Sequence, residues 1–398
     1  MIRSTLAAAL TLALVAQAVG ADDWPGFRGN GAATTPSLPE KVPDKPLWSA
    51  PVAGPCAAGI AVAEGAVIVA DHEPGKRDVY RRFDPAGGKE VWAREFPNDR
   101  SLDYGGGPRA TPLIRQGRVF VLSAFGEFRC LDLKTGKTLW EKDYRKDYGV
   151  EKVPTWGFCT SPVVARGKVV IHPGGKGGLV ALDPETGKQA WATPDTDPNY
   201  STFVVETLGG VEQLVGSDAA SLGGWDAATG KRLWKVPVKS KGYVVPSPLK
   251  VGDRLFVTDD GNGPRLFAFK AGGLIDPKPA AEAEKPAPES YTPVASGGVV
   301  LGVAKGLTAL DAKTLEVLYS DDDRAFDDEC PVIVAGDRGL ALTPSGRAVC
   351  FKFDRKGVEV TGATKVCGPT RAHPAVADGV LYVRDAKTIR AYRLTPPK

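Results

Sequence analysis

A chain of 398 residues with 42% apolar and 25% charged side chains can bury a large core and lacks the composition of a disordered or fibrous protein. Fifty-one Lys and Arg against 47 Asp and Glu leave a formal charge of +4, spread along the chain, which excludes a basic stripe for nucleic acid. Three His and six Cys without a CxxC pair give a zinc site little support.

The first residues, Met1-Ile2-Arg3 and an Ala/Leu-rich run to Val19, have the charge and apolar length of a secretory signal peptide over 1–21, with small residues at Ala16, Ala18 and Ala21 for cleavage. The run is short for a membrane anchor, no later stretch is long enough to span a bilayer, and no Cys follows it for lipidation. The expectation is an exported protein, periplasmic or extracellular, without a transmembrane segment after cleavage. Residues 22–45 read as an extended segment.

From residue 46 the chain repeats itself. One phrase recurs at Asp84…Gly88-Lys89-Glu90-Val91-Trp92, Asp132…Gly136…Trp140, Asp183…Gly187…Trp191 and Asp226…Gly230…Trp234, with a period of roughly 43 to 51 residues, which marks a propeller or solenoid array. The Asp accepts hydrogen bonds from amides of its own turn, and the Gly supplies the positive φ that closes it. Apolar runs before and after each phrase give about four short strands per unit. One such sheet cannot bury both faces, so copies stack, with the indole wedged between neighbours. If Trp140 is a buried wedge, Trp140→Ala costs roughly 3 to 5 kcal/mol. Worn copies follow at Asp311-Ala-Lys-Thr314…Tyr319 and Asp354…Gly357. Inner strands are expected to begin near Ala58, Ala110, Ser161, Phe203, Ser247, Pro293, Pro331 and Pro374. The last unit ends one strand short, and Pro46-Leu47-Trp48-Ser49 supplies it. The reading is all-β: a single eight-bladed β-propeller over 46–396, closed by an N-terminal strand, with seven blades as the rival count. The Pro/Ala/Glu-rich tract 276–290 is a solvated loop insertion that leaves the fifth blade with a weak or absent fourth strand.

The Asp-x-x-Thr-Gly-x-x-x-Trp phrase resembles the tryptophan-docking repeat of pyrroloquinoline-quinone (PQQ) propellers. Asp84, Asp132, Asp183 and Asp226 match its Asp, and Trp92, Trp140, Trp191 and Trp234 its Trp, with Trp48 one period earlier. The opening Asp23-Trp24-Pro25-Gly26-Phe27-Arg28-Gly29 resembles the start of exported bacterial proteins with such repeats. The resemblance implies two functions. Quinoprotein alcohol and glucose dehydrogenases hold PQQ and calcium in the central funnel and generally carry insertions, a Trp under the quinone and often adjacent cysteines; no cysteines are adjacent here. The BamB-type propeller of outer-membrane protein assembly binds protein partners and holds no cofactor; it is a lipoprotein, and the lipidation Cys is missing here. The expectation is a non-catalytic, monomeric binding platform for protein partners, without catalytic or metal residues. PQQ and calcium stand as the alternative cofactors, and a glycan or small molecule as a further ligand class.

Loops entering the inner strands ring one mouth of a propeller, where ligands meet the fold. The candidates there are Asp103, Tyr104, Arg109, Trp156, Tyr243, Asp327, Asp328, Glu329, Arg371 and His373. Arg109 and Arg371 suit carboxylates, or pair with Asp103 and Asp327 across the mouth. Trp156 suits a planar ring or an inter-blade wedge. The acids at 327–329 suit calcium or a base, or plain solvation, and His373 suits catalysis or strand packing. Gly105-Gly106-Gly107 reads as a flexible turn. Cys56 and Cys367 both precede inner strands, where a disulfide would tie the ring shut; six small buried residues is the plainer reading.

Overall fold

The computed structural model describes residues 23–29, 31–194, 196–238, 243–284, 290–304, 306–321, 325–326 and 328–394; the expected signal peptide and Asp327 lie outside them. Short apolar alternations separated by tight turns produce antiparallel strands throughout. In the first blade Ala61–Ala63, Ala66–Glu73, Lys76–Phe83 and Glu90–Asn98 pair in chain order. The same arrangement recurs over 113–143, 163–193, 204–237, 249–282, 294–321 and 332–365. The eighth sheet takes its first three strands from 375–393 and its fourth from Trp48–Pro51, which pairs antiparallel with Thr388–Arg393, Trp48 facing Ala391. Eight sheets are therefore present among the described residues, and Trp48–Pro51 covers the edge that Thr388–Arg393 would otherwise leave open. One short helix, Tyr144–Tyr148, is capped by Asp143, whose carboxylate accepts from the amides of Arg145 and Lys146.

The repeated phrase works as a latch between blades. In Asp132-Leu-Lys-Thr135-Gly136, Asp132 Oδ1 accepts from the Thr135 amide at 2.7 Å and its hydroxyl at 2.6 Å; Asp183 and Asp226 repeat this with Thr186 and Thr229, and Asp84 with the Gly87 amide. The glycine is required twice over at this position. Gly136 has φ +71°, and a Cβ there would stand 2.8 Å from the Trp92 ring of the preceding blade. Trp48 likewise covers Gly88, Trp140 covers Gly187 and Trp191 covers Gly230. Three of these indoles also donate to a carbonyl of the turn they cover: Trp48 to Pro85 at 2.8 Å, Trp92 to Leu133 at 2.9 Å and Trp140 to Pro184 at 3.1 Å.

Trp234 departs from this pattern. Its N–H donates to Oε1 of Gln213 in its own blade (2.8 Å), and the Gln213 amide donates across to the Gly273 carbonyl of the fifth blade (2.7 Å). The fifth blade has lost the Asp-x-x-Thr-Gly turn, so a buried glutamine spans the gap that the indole alone does not. That blade's fourth strand is divided into Leu274–Ile275 and Ala281–Glu282, both on Arg265–Lys270. The first part of the Pro/Ala/Glu tract thus returns to the sheet rather than standing off as a loop. Between the sixth and seventh blades Tyr319, in the Trp position, donates its hydroxyl to the Asp354 carbonyl at 3.0 Å.

The Cys56–Cys367 disulfide, one of the two readings of the cysteines, is not formed among the described residues, and Cys56 Sγ donates to the Pro108 carbonyl at 3.0 Å. The ring is closed instead by the borrowed strand and by Arg384, which is buried and donates to the Gly54 and Ala70 carbonyls and to Asp71 Oδ1 at 3.2 Å. Asp71 in turn accepts from Arg81 at 2.8 Å. A buried ion pair of this kind is held only because its remaining donors and acceptors are met.

Two residues before every inner strand lies a ring of eight positions around the channel: Gly59, Thr111, Ser161, Thr202, Ser247, Thr292, Cys330 and His373. Along one arc each hydroxyl accepts from the backbone amide of the preceding member: Ser161 from Thr111 at 3.0 Å, Thr202 from Ser161 at 3.1 Å, Ser247 from Thr202 at 3.1 Å and Thr292 from Ser247 at 2.8 Å. The arc breaks at Cys330, His373 and Gly59, where no hydroxyl is available. Among the described residues no helix is long and apolar enough to cross a membrane.

Candidate functional site

The channel is not open from end to end. Residues 23–29 and 31–35 cross it as a strap. Trp24 exchanges two backbone hydrogen bonds of 2.7 Å with Val62 of the first blade, and the Pro25 carbonyl accepts from Ile114 of the second at 2.8 Å. Thr34 then forms a parallel bridge with Val334 of the seventh blade. Phe27 projects into the channel and lines two cavities, one of about 310 Å³ at the mouth and one of about 290 Å³ on the far side. Sequence reading left 22–45 without a role. Its usable signal was a Trp, a Phe and an Arg concentrated in 24–28 between glycines, with no strand alternation to explain them.

Five of the ten expected mouth residues line the mouth cavity: Tyr104, Arg109, Trp156, Arg371 and His373. Trp156 is half-buried, its ring centre 4.8 Å from Tyr200 and 4.9 Å from Tyr243, so the loops before the third, fourth and fifth inner strands build one aromatic wall. Across the cavity His373 is flanked by Phe27 at 5.1 Å and Tyr291 at 5.3 Å. Burial, and next the Arg28 charge, push His373 down to about 3, so it is neutral at ordinary pH and is no cation for an anion. Tyr104 stands at the rim, 83% exposed, with φ +64°; a tyrosine held both in that backbone region and in water fits a contact surface better than a core.

Two expectations need correction. Arg109 does not pair with a carboxylate: its guanidinium donates to the carbonyls of Asp103, Gly105, Gly107 and Trp156. It shapes the loop and leaves little for a ligand. For the same reason Gly105-Gly106-Gly107 is not a flexible turn, since Asn98 holds the Gly106 carbonyl as well, at 3.1 Å. Asp103 is exposed beside the cavity. Asp328 Oδ1 accepts from the Glu329 amide at 2.8 Å, and Glu329 Oε2 from the Ser290 amide at 2.8 Å. Neither lines the cavity.

These residues do not fit a calcium-bound quinone. Calcium takes six to eight oxygens, carboxylates prominent among them, yet the described lining of the mouth contains no Asp or Glu, and the described residues bring no group of three or more His, Cys, Asp or Glu together for a metal. Of the two arginines expected to clamp the carboxylates of PQQ, one is occupied by backbone carbonyls. No reaction step is derived through that cofactor.

The fold and its latches define an eight-bladed propeller of tryptophan-docking repeats with a plugged channel and one aromatic mouth. A family model described as "Outer membrane protein assembly factor BamB" matches residues 41–203, 75–241 and 205–395, and the chain belongs to that family. It is 30% identical over 142 residues to the outer membrane protein assembly factor BamB of Burkholderia pseudomallei, covering 33% of this chain and 36% of that one. It is also 30% identical over 168 residues to the quinohemoprotein alcohol dehydrogenase ADH IIB of Pseudomonas putida, covering 39% of this chain but only 22% of the relative. The chain thus spans about a fifth to a third of these relatives' lengths. Among solved structures, BamB from Moraxella catarrhalis superposes with a TM-score of 0.64 at 15% identity, over 88% of this chain and 99% of that one. The quinohemoprotein alcohol dehydrogenase of Comamonas testosteroni gives 0.65 at 16%, over 93% and 80%. At these identities the likeness is one of fold.

Proposed function

We propose that the protein is a non-catalytic binding propeller that engages a protein partner at the channel mouth. The observation that carries this is the mouth's composition: Tyr104 exposed at the rim, Trp156, Tyr200 and Tyr243 forming a wall, and Arg371 exposed beside them. Tyr, Trp and Arg are the residues in which binding energy at protein interfaces concentrates. Chemistry is poorly supported, because His373 is held neutral under aromatic rings and the described acids of 327–329 serve backbone amides. Membership of the BamB family supports a platform role, and the reading of residues 1–21 supports export to the periplasm or beyond, as a monomer.

The rival reading, a PQQ- and calcium-dependent dehydrogenase of alcohols or sugars, draws on the similarity to dehydrogenases. Calorimetric titration of the purified protein with PQQ, with and without calcium, separates the two. Calcium-dependent binding near one per chain would establish the rival. Absence of heat in folded protein, together with a partner whose affinity falls at least tenfold in Tyr104→Ala, is the expected result. A glycan ligand would compete at the same aromatic wall without calcium.

A further inference from the structure

The turns between the first and second strands of the blades dictate where the inner strands point their backbone groups. Glu64-Gly65, Gln116-Gly117, Arg166-Gly167 and Gly209-Gly210 all have both residues at positive φ, the type I′ conformation that closes a two-residue hairpin. The flanking pairs Ala63–Ala66, Arg115–Arg118, Ala165–Lys168 and Leu208–Val211 then share both their ladder hydrogen bonds. On the inner strand, the residue before each pair and every second one before that turn their N–H and C=O away from the sheet, toward the channel. In the first blade that residue is Val62, and Trp24 of the strap takes both its groups. In the second it is Ile114, whose N–H donates to the Pro25 carbonyl. In the seventh blade Val334 donates to the Ala33 carbonyl and accepts from the Thr35 amide, both at 3.0 Å.

The described strap makes no such bond to the third and fourth blades. In the third, the channel-facing residue is Val164, opposite Val169. In the fourth there are two: Thr207, whose carbonyl accepts from Lys250 Nζ at 3.1 Å, and Val205, opposite Leu214. Neither Val164 nor Val205 makes a backbone bond outside its sheet among the described residues, and both line the far-side cavity of about 290 Å³. The remaining walls are largely apolar, with Pro25, Phe27, Leu113 and Pro162 prominent among them. Arg115 lines it as well; it is half-buried, and its guanidinium has no hydrogen bond or ion pair among the described residues. One cavity thus brings together unpaired main-chain donors and acceptors, apolar walls and an uncommitted cation.

We propose that this far-side cavity docks an extended apolar segment of a partner protein, its main chain pairing with Val164 and Val205 and an acidic side chain meeting Arg115. The strap is the precedent within the same molecule. Its consecutive residues Trp24 and Pro25 bridge the inner strands of two neighbouring blades, which is the task left open at the third and fourth. Adding a strand to an exposed sheet edge takes its affinity from main-chain hydrogen bonds and its selectivity from pockets for alternate side chains. An acyl chain fits the apolar walls less well, because it would bury the Val164 and Val205 groups without partners. The site lies across the strap from the mouth and does not depend on what the mouth binds.

The test titrates the full chain calorimetrically with four probes: the peptide amide acetyl-Val-Ala-Val-Asp, its Asn analogue, the Asp peptide N-methylated at its central residues, and laurate. Hydrogen exchange is followed in parallel over 163–165 and 204–208. The Asp peptide is expected to bind about tenfold more tightly than the N-methylated one, which cannot donate to the edge, and about threefold more tightly than the Asn analogue. Exchange in 163–165 and 204–208 should slow on binding, while 61–63, already held by the strap, stays as it was. Arg115→Gln is expected to abolish the preference for Asp over Asn; should it fail to fold, Arg115→Lys, which keeps the charge, is expected to retain the preference. Equal binding of the N-methylated peptide, equal binding of Asp and Asn, or protection confined to other strands overturns the proposal. So does tighter binding of laurate, which would make the cavity an acyl-chain site, or no binding of any peptide up to about 10 mM. The mouth is read by its own partner assay, so this proposal can fail while that reading stands.

Discussion

Trp92 and Trp140 show how one repeated letter acquires different energetic weight. Trp92 is 7% exposed and covers Gly136, with its N–H bonded to Leu133. Trp140 makes the equivalent contacts but is only partly buried. Truncating a large aromatic in a core costs roughly 3 to 5 kcal/mol, and that figure belongs to Trp92→Ala; Trp140→Ala should cost less, because part of its ring stays wet in either state. Urea unfolding of the two variants side by side checks the order, and equal losses would remove burial as the explanation. The Asp and Gly of the phrase were legible from sequence because their jobs are local: an Asx turn and a positive φ. Arg109 was misjudged for the opposite reason, since the four carbonyls it gathers come from folded loops and leave no mark in composition or spacing.

Gln213 belongs to the strand Val211–Ser217 and repairs the latch between the fourth and fifth blades. Replacing it with Leu keeps the volume but leaves the Trp234 N–H and the Gly273 carbonyl without their partner. Stranding such buried groups costs about 1 to 3 kcal/mol each. Gln213→Leu should therefore lower the unfolding midpoint clearly and speed hydrogen exchange in 265–275 more than elsewhere; a uniform change across the chain would argue against a local latch. The erosion of the fifth blade was visible as a missing phrase. The glutamine that compensates for it was not, because its effect depends on two residues, 21 and 60 positions away in the chain. The same limit hid the strap, whose partners Val62, Ile114, Pro293 and Val334 are scattered over four blades.

The intact ring should respond to acid before its surface carboxylates do. Burial lowers His172 to about 4 and His373 to about 3, whereas an unfolded histidine titrates near 6.5. Below that value the unfolded chain binds more protons, so stability is fully present above about pH 6.5 and declines as pH falls toward 4 and 3. Below about pH 4 a second loss begins as Asp183, held down to about 2 by Lys168 and Thr186, starts to protonate in the unfolded chain. A thermal midpoint that falls steadily from about pH 7 to 4.5 is expected by calorimetry, and a flat profile would mean that the histidines are not buried as neutral rings. Period and phrase sufficed to count the blades and to assign the closing strand. The mouth was read only as a set of candidate loops, because which side chains converge depends on the ring being closed.

That closure carries a consequence for how the protein comes into being. Trp48 leaves the ribosome about 340 residues before Ala391, the residue it faces, so the fourth strand of the eighth blade waits for its place while the other seven blades are made. Contacts so distant along the chain form late. A chain that stops before Thr388–Arg393 leaves the Trp48–Pro51 strand without its ladder and its own backbone groups unpaired. The fold thereby inspects its own completeness: a nascent chain lacking Val380–Arg384 and Thr388–Arg393 advertises the defect at Trp48–Pro51, on the far side of the propeller's sequence.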